Sequence, residues 1–549
     1  MNDSSSPIRA ATLDPITVEV ISAALQSIVE ETGEALIRAS YSTNIKERRD
    51  CSTALFDVSG NTLCQAEHIP IHLGSFIGIV PHILKHHPLE AMRPGDAFIG
   101  NDAYEGGGTH LPDIVIAEPI FFDDRIVAWT VNLAHHSDFA DRGHAHIYQE
   151  GLRIPPVRLY RAGVVQQDVL DLILLNCQVP RERLSDLRAQ MAANRVGVQR
   201  FQALCAKYGA ETVISAGAAL LDYAERKMRA GIAAMPDGRW RFKDVFESSE
   251  IPAPIPLEVS VTIRGDEMLF DFDAPPQQRA GLNMTYTALL ATVYYVAKSV
   301  VDPSILPNSG LSRALTVTAR EGSVLNCTHP AAVNGRVQTC QRVSDLILGA
   351  LAQAVPERVT ACSNSVCTVA TFVGQRPDNS LWVYLETMGG GGGARATKDG
   401  LDGVHMHVTN TSNLPVEALE TEYPLTLMRY ELIGDSGGVG RHRGGLGLRR
   451  VYRADAECRV RVDVSRVASR SWGLQGGGEG GHGGIECGPG VVFDRDHAVL
   501  KPGQWFAIVS PGAGGYGPPS ERTHDAIQRD LTEGVISVST AREAYGYPA

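Results

Sequence analysis

No run of about 18 apolar residues occurs anywhere in the 549-residue chain, so no membrane span is expected. The N-terminal stretch "MNDSSSPIRAATLDP" has no basic segment followed by an apolar one, and no secretion signal is read there. None of the ten cysteines forms a CxxC pair; the nearest two are Cys362 and Cys367. That excludes a zinc ribbon and fits reduced thiols in a cytoplasmic protein. Any metal must therefore be held by His, Asp or Glu. No GxxxxGK[ST] loop is present, so the chain carries no phosphate-binding loop of that kind. Positive charge is also short: the net charge is -12, which argues against a nucleic-acid or anionic-membrane partner. What remains is 44% hydrophobic and 20% charged, the balance of a folded, soluble protein long enough for two to four lobes. Much of its glycine lies after residue 385.

Pattern along the chain predicts a mixed α+β, multi-lobed fold. An α/β metal-binding part over 12–245 is followed by a middle α+β part over 246–385. A glycine-rich, mainly β part over 386–549 ends in a short helical tail. Asp14-Pro15 suits a capped helix start, and Ile16, Val20, Ile21, Ala24, Leu25, Ile28 and Val29 recur at helical spacing through residue 39. "CSTALFDVSGNTLCQA" reads as a hairpin, as does "PLEVSVTIRGDEMLFDFDA". Residues 180–235 and 337–354 read as helical, the latter closed by Pro356.

A further hairpin over 111–135 has the most consequence. "DIVIAEPIFF" and "IVAWTVNLA" flank the turn "DDR" at 123–125. Antiparallel pairing about that turn sets His110 and Asp113 beside His135 and Asp138. Side-chain alternation puts Val127, Trp129, Val131, Leu133 and His135 on the more apolar face, so His135 is expected to point inward and His136 outward. Mixed imidazole and carboxylate ligands suit zinc, manganese or iron(II). The available pool is Asp50, His68, His72, Asp102, His110, Asp113, His135, His136, Asp138 and Asp141; for any one of them the plain alternative is a turn cap. "ETMGGGGGARATKDG" (386–400) could offer backbone N–H groups to an anion or be a close-packed structural loop. Arg441 and Arg443 could hold a carboxylate or phosphate, although tight β turns suit that stretch better. His144, His146 and Glu150 read as a solvated or gating loop.

These residues resemble the hydantoinase B family. The likeness runs in order from about residue 12 to 545 through "DPITVEVI", "ERRDCSTALFD", "HIPIHLGS", "GDAFIGNDAYEGGGTHLPDI", "AHHSD", "EGLRIPPVRLY", "ETMGGGGGAR", "VTNTSNLPVEALE" and "DSGGVGRHRGG". The resemblance implies a division of labour. An A-type ATPase subunit phosphorylates the substrate carbonyl oxygen, and a B-type subunit holding a divalent metal completes the reaction. Motif by motif, it implies metal ligands at Asp50, His110, His135 and Asp138. The family follows its "HHAD" with "VGG", whereas this chain has "FADRGHAH", which points to a different substrate pocket.

Together these readings give an expectation. The chain is the metal-containing subunit of an ATP-dependent cyclic amidase, working on a hydantoin or lactam in a hetero-oligomer. Water on the metal would have a lowered pKa, and Asp102 or Asp113 would move a proton. The alternatives are a subunit of a biotin-independent ketone carboxylase and a non-catalytic scaffold for the ATPase.

Overall fold

The computed structural model describes residues 13–66, 68–105, 107–137 and 142–548. The fold is mixed α+β, as expected. Asp14 caps the first helix by accepting the Thr17 N–H at 3.2 Å, Pro15 takes its first turn, and the helix runs Pro15–Ala39. The helical region after 180 is two helices, Pro180–Tyr208 and Ala210–Ala233, broken at Gly209, whose φ of 83° suits glycine. Among the described residues no helix is long and apolar enough to cross a membrane.

The N-terminal sheet is antiparallel throughout. Its order is Thr62–Gln65, Cys51–Phe56, Arg125–His135, Asp113–Phe122, Ala97–Gly100, Val157–Arg161 and Val164–Val165. The turn between its two long strands has Asp123 and Asp124 both at positive φ (48° and 58°), which matches the right-handed twist of a tight hairpin. One face of the sheet carries Phe98, Val115, Trp129, Val131 and Leu133, packed on Phe76, Ile79, Val80 and Ile83.

The opposite face is where the alternation reading needs correcting. Thr130, Asn132 and His136 are polar but not solvated; they lie under the helix Pro180–Tyr208. Asn132 donates to Gln190 O (2.7 Å) and Asn194 Oδ1 (2.8 Å), while Gln190 and Asn194 donate to the Ile114 and Ile116 carbonyls. His136 Nε2 lies 3.1 Å from Gln190 Oε1. A ladder of satisfied hydrogen bonds lets a polar face be buried, so polarity alone did not mark the outside.

A second sheet, in the order Leu315–Ala319, Glu267–Asp273, Ile255–Arg264 and Gly238–Phe246, shares a large core with the helices Tyr286–Val301 and Arg336–Leu351. Two further four-stranded sheets form a sandwich. One is ordered Leu381–Met388, Thr368–Gln375, Cys458–Asp463, His497–Leu500; the other is Leu425–Leu432, Leu448–Ala454, Trp505–Val509, Gly484–Cys487. Phe372 of the first meets Tyr452 and Phe506 of the second, with ring centroids 5.2 and 5.9 Å apart.

The glycine run is part of this packing. A Cβ on Gly393 would stand 1.8 Å from Ala361 O, and one on Gly391 would stand 2.2 Å from Gly445 O. The N–H groups of Gly390, Gly391, Gly392 and Ala394 go to the carbonyls of Val404, Pro511, Leu401 and Gly514. Of the two readings, the close-packed structural loop is the one observed, because those four donors are already spent. Arg443 is likewise taken up inside the chain, by both oxygens of Asp402 at 2.7 and 2.9 Å, and Arg441 pairs with Glu521.

Candidate metal centre

Three strand ends converge at one edge of the N-terminal sheet. Asp113 begins a strand and stands opposite His135, which ends the next. Cys51 pairs with Ala134, bringing Asp50 to the same edge. His110, three residues before Asp113, completes the approach. His110, Asp113 and His135 each offer one ligand atom, all within 4.8 Å of one another.

Around this group the supporting contacts leave ligand atoms free. His110 Nδ1 lies 3.1 Å from the Asn334 carbonyl oxygen; this makes Nδ1 the donor and turns the Nε2 lone pair inward. Asp113 Oδ2 accepts from Arg336 Nη2 (2.8 Å) and Ser75 Oγ (3.1 Å). His110 Nε2 and Asp113 Oδ1 are 3.1 Å apart, fully buried, and neither makes a hydrogen bond. Two orphaned acceptors facing each other need a cation or proton between them.

The protonation states agree. Burial lowers the pKa of His110, and burial brings that of His135 down to about 4. Burial alone would raise the Asp113 carboxyl, but His110 and the Arg336 guanidinium beside it hold it well below the usual carboxylate range. Neutral imidazoles with an ionised carboxylate are the forms that bind a divalent ion. The residues present therefore fit such an ion.

His72 joins this neighbourhood. It is buried, Ser52 Oγ is 2.8 Å from its Nδ1, and its Nε2 is 3.6 Å from Asp50 Oδ1 and 3.9 Å from Asp113 Oδ1. Sequence reading placed it in the ligand pool, but only the fold shows its approach. Asp50 Oδ2 is 4.0 Å from His135 Nδ1, and Asn44 Nδ2 donates to the His135 carbonyl at 2.9 Å. Asp138 and Asp141 lie outside the described residues. Asp102 is bound elsewhere, by Arg153 Nη2 at 2.6 Å and the Tyr104 N–H at 3.0 Å. His68 lines a separate cleft.

A cavity of about 90 Å³ opens beside the group. Asp50, His72, His110 and His135 form one end of its lining, which includes neither Asp102 nor Asp113. Its far wall follows from strand register. Val369 pairs with Thr387 and Asp463, and Thr371 pairs with Leu385 and Arg461. These six side chains share one face of the first sandwich sheet and line the cavity, while Ala370, Phe372, Tyr384 and Val462 point into the sandwich. Cys367 is also in the lining, but burial pushes its thiol up to about 12, in keeping with no nucleophilic role.

The loop expected to be solvated is not. His144 lines the cavity, with its Nδ1 3.0 Å from Glu250 Oε1 and its Nε2 2.8 Å from Arg461 Nη1. Glu150 is fully buried and accepts the N–H groups of Val333 and Asn334 at 2.8 and 2.7 Å. It thereby fixes the segment whose carbonyl orients His110. The sequence showed these polar residues but not the wall that covers them.

Comparison with known proteins agrees in extent and in fold. The family described as Hydantoinase B/oxoprolinase matches residues 14–519. The caprolactamase subunit beta of Pseudomonas jessenii is 31% identical over 568 residues, covering 97% of this chain and 96% of that protein. The crystal structure of ATP-dependent caprolactamase from Pseudomonas jessenii superposes with a TM-score of 0.86 at 29% identity, covering 98% of this chain and 96% of that one. A nucleotide-free acetone carboxylase structure shares the fold alone, with a TM-score of 0.85 at 18% identity over 97% of this chain and 79% of that one. With most of its length matched by one family model and its fold shared with a caprolactamase, the chain belongs to the Hydantoinase B/oxoprolinase family.

Proposed function

We propose that this chain is the metal-holding subunit of an ATP-dependent hydrolase that opens a cyclic amide, either a hydantoin or a lactam. The observation that carries this reading is the pair of orphaned, buried atoms, His110 Nε2 and Asp113 Oδ1, at the head of a closed cavity. The family and the caprolactamase relatives supply the reaction class. A partner subunit of the A type, itself an ATPase, would phosphorylate the carbonyl oxygen, since this sequence has no phosphate-binding loop of the GxxxxGK[ST] kind.

His110, Asp113 and His135 would hold zinc, manganese or iron, with Asp50, His72 and, by motif, Asp138 beside them. A divalent ion there would polarise a carbonyl and lower the pKa of water. The protein's own part is positional. The Asn334 carbonyl and Ser52 hold two imidazoles in place, and Arg336 pins one oxygen of Asp113. Of the carboxylates, Asp50 is the one that lines the cavity, so it is better placed than Asp102 or Asp113 to exchange a proton with a bound ring.

The test is substitution of His110 or His135 by Ala, followed by measurement of bound metal and of turnover with the A-type partner present. Wild-type metal content and rate in both variants would refute the assignment. The fold likeness to acetone carboxylase supports one other reading, a ketone carboxylase subunit. Turnover that requires bicarbonate and a ketone would favour it.

A further inference from the structure

At the end of the cavity away from the metal group, three carboxylates compete for one guanidinium. Arg461 donates through Nε to Asp496 at 2.9 Å and through Nη2 to Glu250, with Asp463 at 3.3 Å. Glu250 has further partners in His144 (3.0 Å) and the Gly281 N–H (2.6 Å), and Asp496 has His497 at 2.7 Å. Asp463 has Arg461 alone among the described residues, and it lines the cavity. His144 brings no positive charge. Its Nε2 faces Arg461 Nη1, which can only donate, so Nε2 must carry a lone pair while Nδ1–H points to Glu250. The other guanidinium of the lining, Arg336, is spent on Asp113 and Thr109. This wall therefore has acceptor capacity left over and no unpaired cation.

The distal wall is also tied to the metal end. Asn334 gives its carbonyl oxygen to His110 and its side-chain amide to His144 Nε2 at 2.9 Å. A small ring lying between the two ends would meet a cation-binding group on one side and an unsatisfied carboxyl oxygen on the other. A carbonyl oxygen suits the first and an N–H donor suits the second.

We infer that Asp463 is a specificity-determining residue that accepts a hydrogen bond from the substrate's ring N–H, so that the site takes neutral rings with a free N–H in preference to N-alkylated rings or rings bearing a carboxylate. This rests on the cyclic-amide reading above. An N-alkyl ring leaves the Asp463 oxygen buried without a partner, and a ring carboxylate would lie against like charge.

The test uses the full chain as purified, with its metal content measured first. Binding of 2-pyrrolidinone, N-methyl-2-pyrrolidinone and 5-oxoproline is compared by calorimetry for wild type, Asp463→Ala and Asp463→Asn. Wild type is expected to bind 2-pyrrolidinone about 10-fold or more tighter than the other two. Asp463→Ala should bring the N–H to N-methyl ratio close to one at unchanged metal content, and Asp463→Asn, which keeps a carbonyl acceptor, should restore it. If Asp463→Ala does not fold, Asp463→Val, with its better strand propensity, replaces it. An undiminished ratio in the Ala or Val variant overturns the inference and leaves the cyclic-amide reading standing. Equal wild-type affinity for 5-oxoproline and 2-pyrrolidinone overturns its neutral-ring part. Failure of wild type to bind any of the three ends both.

Discussion

Asp113 divides its two oxygens between Arg336 and His110: Oδ2 lies 2.8 Å from the guanidinium and Oδ1 lies 3.1 Å from an imidazole nitrogen that makes no hydrogen bond. One side chain thus serves the fold and the site at once, and substitutions should separate the roles. Asp113→Asn keeps shape but removes the charge a metal needs, so metal content should fall at least about 10-fold. Asp113→Ala also strands a buried arginine, and unfolding in urea should show a loss of about 3–5 kcal/mol. An Asn variant with full metal content would exclude Asp113 from the ligand set.

His72 offers a sharper test of ligand number. If its Nε2 belongs to the metal group, His72→Ala should weaken metal binding by about 10- to 100-fold, and Ser52→Ala, which frees the His72 ring, should follow in the same direction by less. Chelator competition measures both. If Ser52→Ala and His72→Ala both leave affinity unchanged, His72 serves only as a buried packing partner for Asp50.

Much of the site was legible because hairpin register is local. The turn at Asp123-Asp124 and two apolar strands were enough to set Asp113 across from His135. Motif resemblance then added Asp50, which the Cys51–Ala134 pairing brings to the same edge. What could not be read was long-range cover. Asn132 and His136 looked outward because nothing local announces that Gln190 and Asn194 will lie over them. Arg336, Arg461 and Asp463 reach the cavity from strands and a helix more than 200 residues further on, through pairings such as Val369–Asp463 that no local period encodes.

The glycine run makes a prediction about stability, with no role for anions. Gly393→Ala would drive a Cβ to 1.8 Å from the Ala361 carbonyl oxygen, a backbone atom that cannot step aside. The cost should reach at least about 3 kcal/mol, visible as a lower melting temperature or loss of soluble protein. Phosphate added at millimolar levels should not raise the wild-type melting temperature, because the surrounding N–H groups are already bonded to carbonyls. A phosphate-dependent rise that the substitution abolishes would reverse this reading.

Two histidines away from the metal group should give the metal-free chain a pH-dependent stability. Burial, with His72 adding to it, brings His68 down to about 4, and burial, with Arg48 adding to it, brings His405 down to about 4. Unfolded, each titrates near 6.5. Between those values the unfolded chain binds more protons than the folded one, so stability falls as pH drops from about 6.5 to about 4. The slope is up to about 1.4 kcal/mol per pH unit for each residue. Above pH 7 neither contributes a slope. Urea unfolding of chelator-treated protein at pH 7.5, 6 and 5 measures the trend (pH values set at about these points to bracket the titration). His405→Gln should lower the slope below pH 6.5 by about 1 kcal/mol per pH unit at most, since it removes one of the two titrations. An identical slope in the variant would mean that His405 is protonated inside the fold, contrary to its burial beside Arg48.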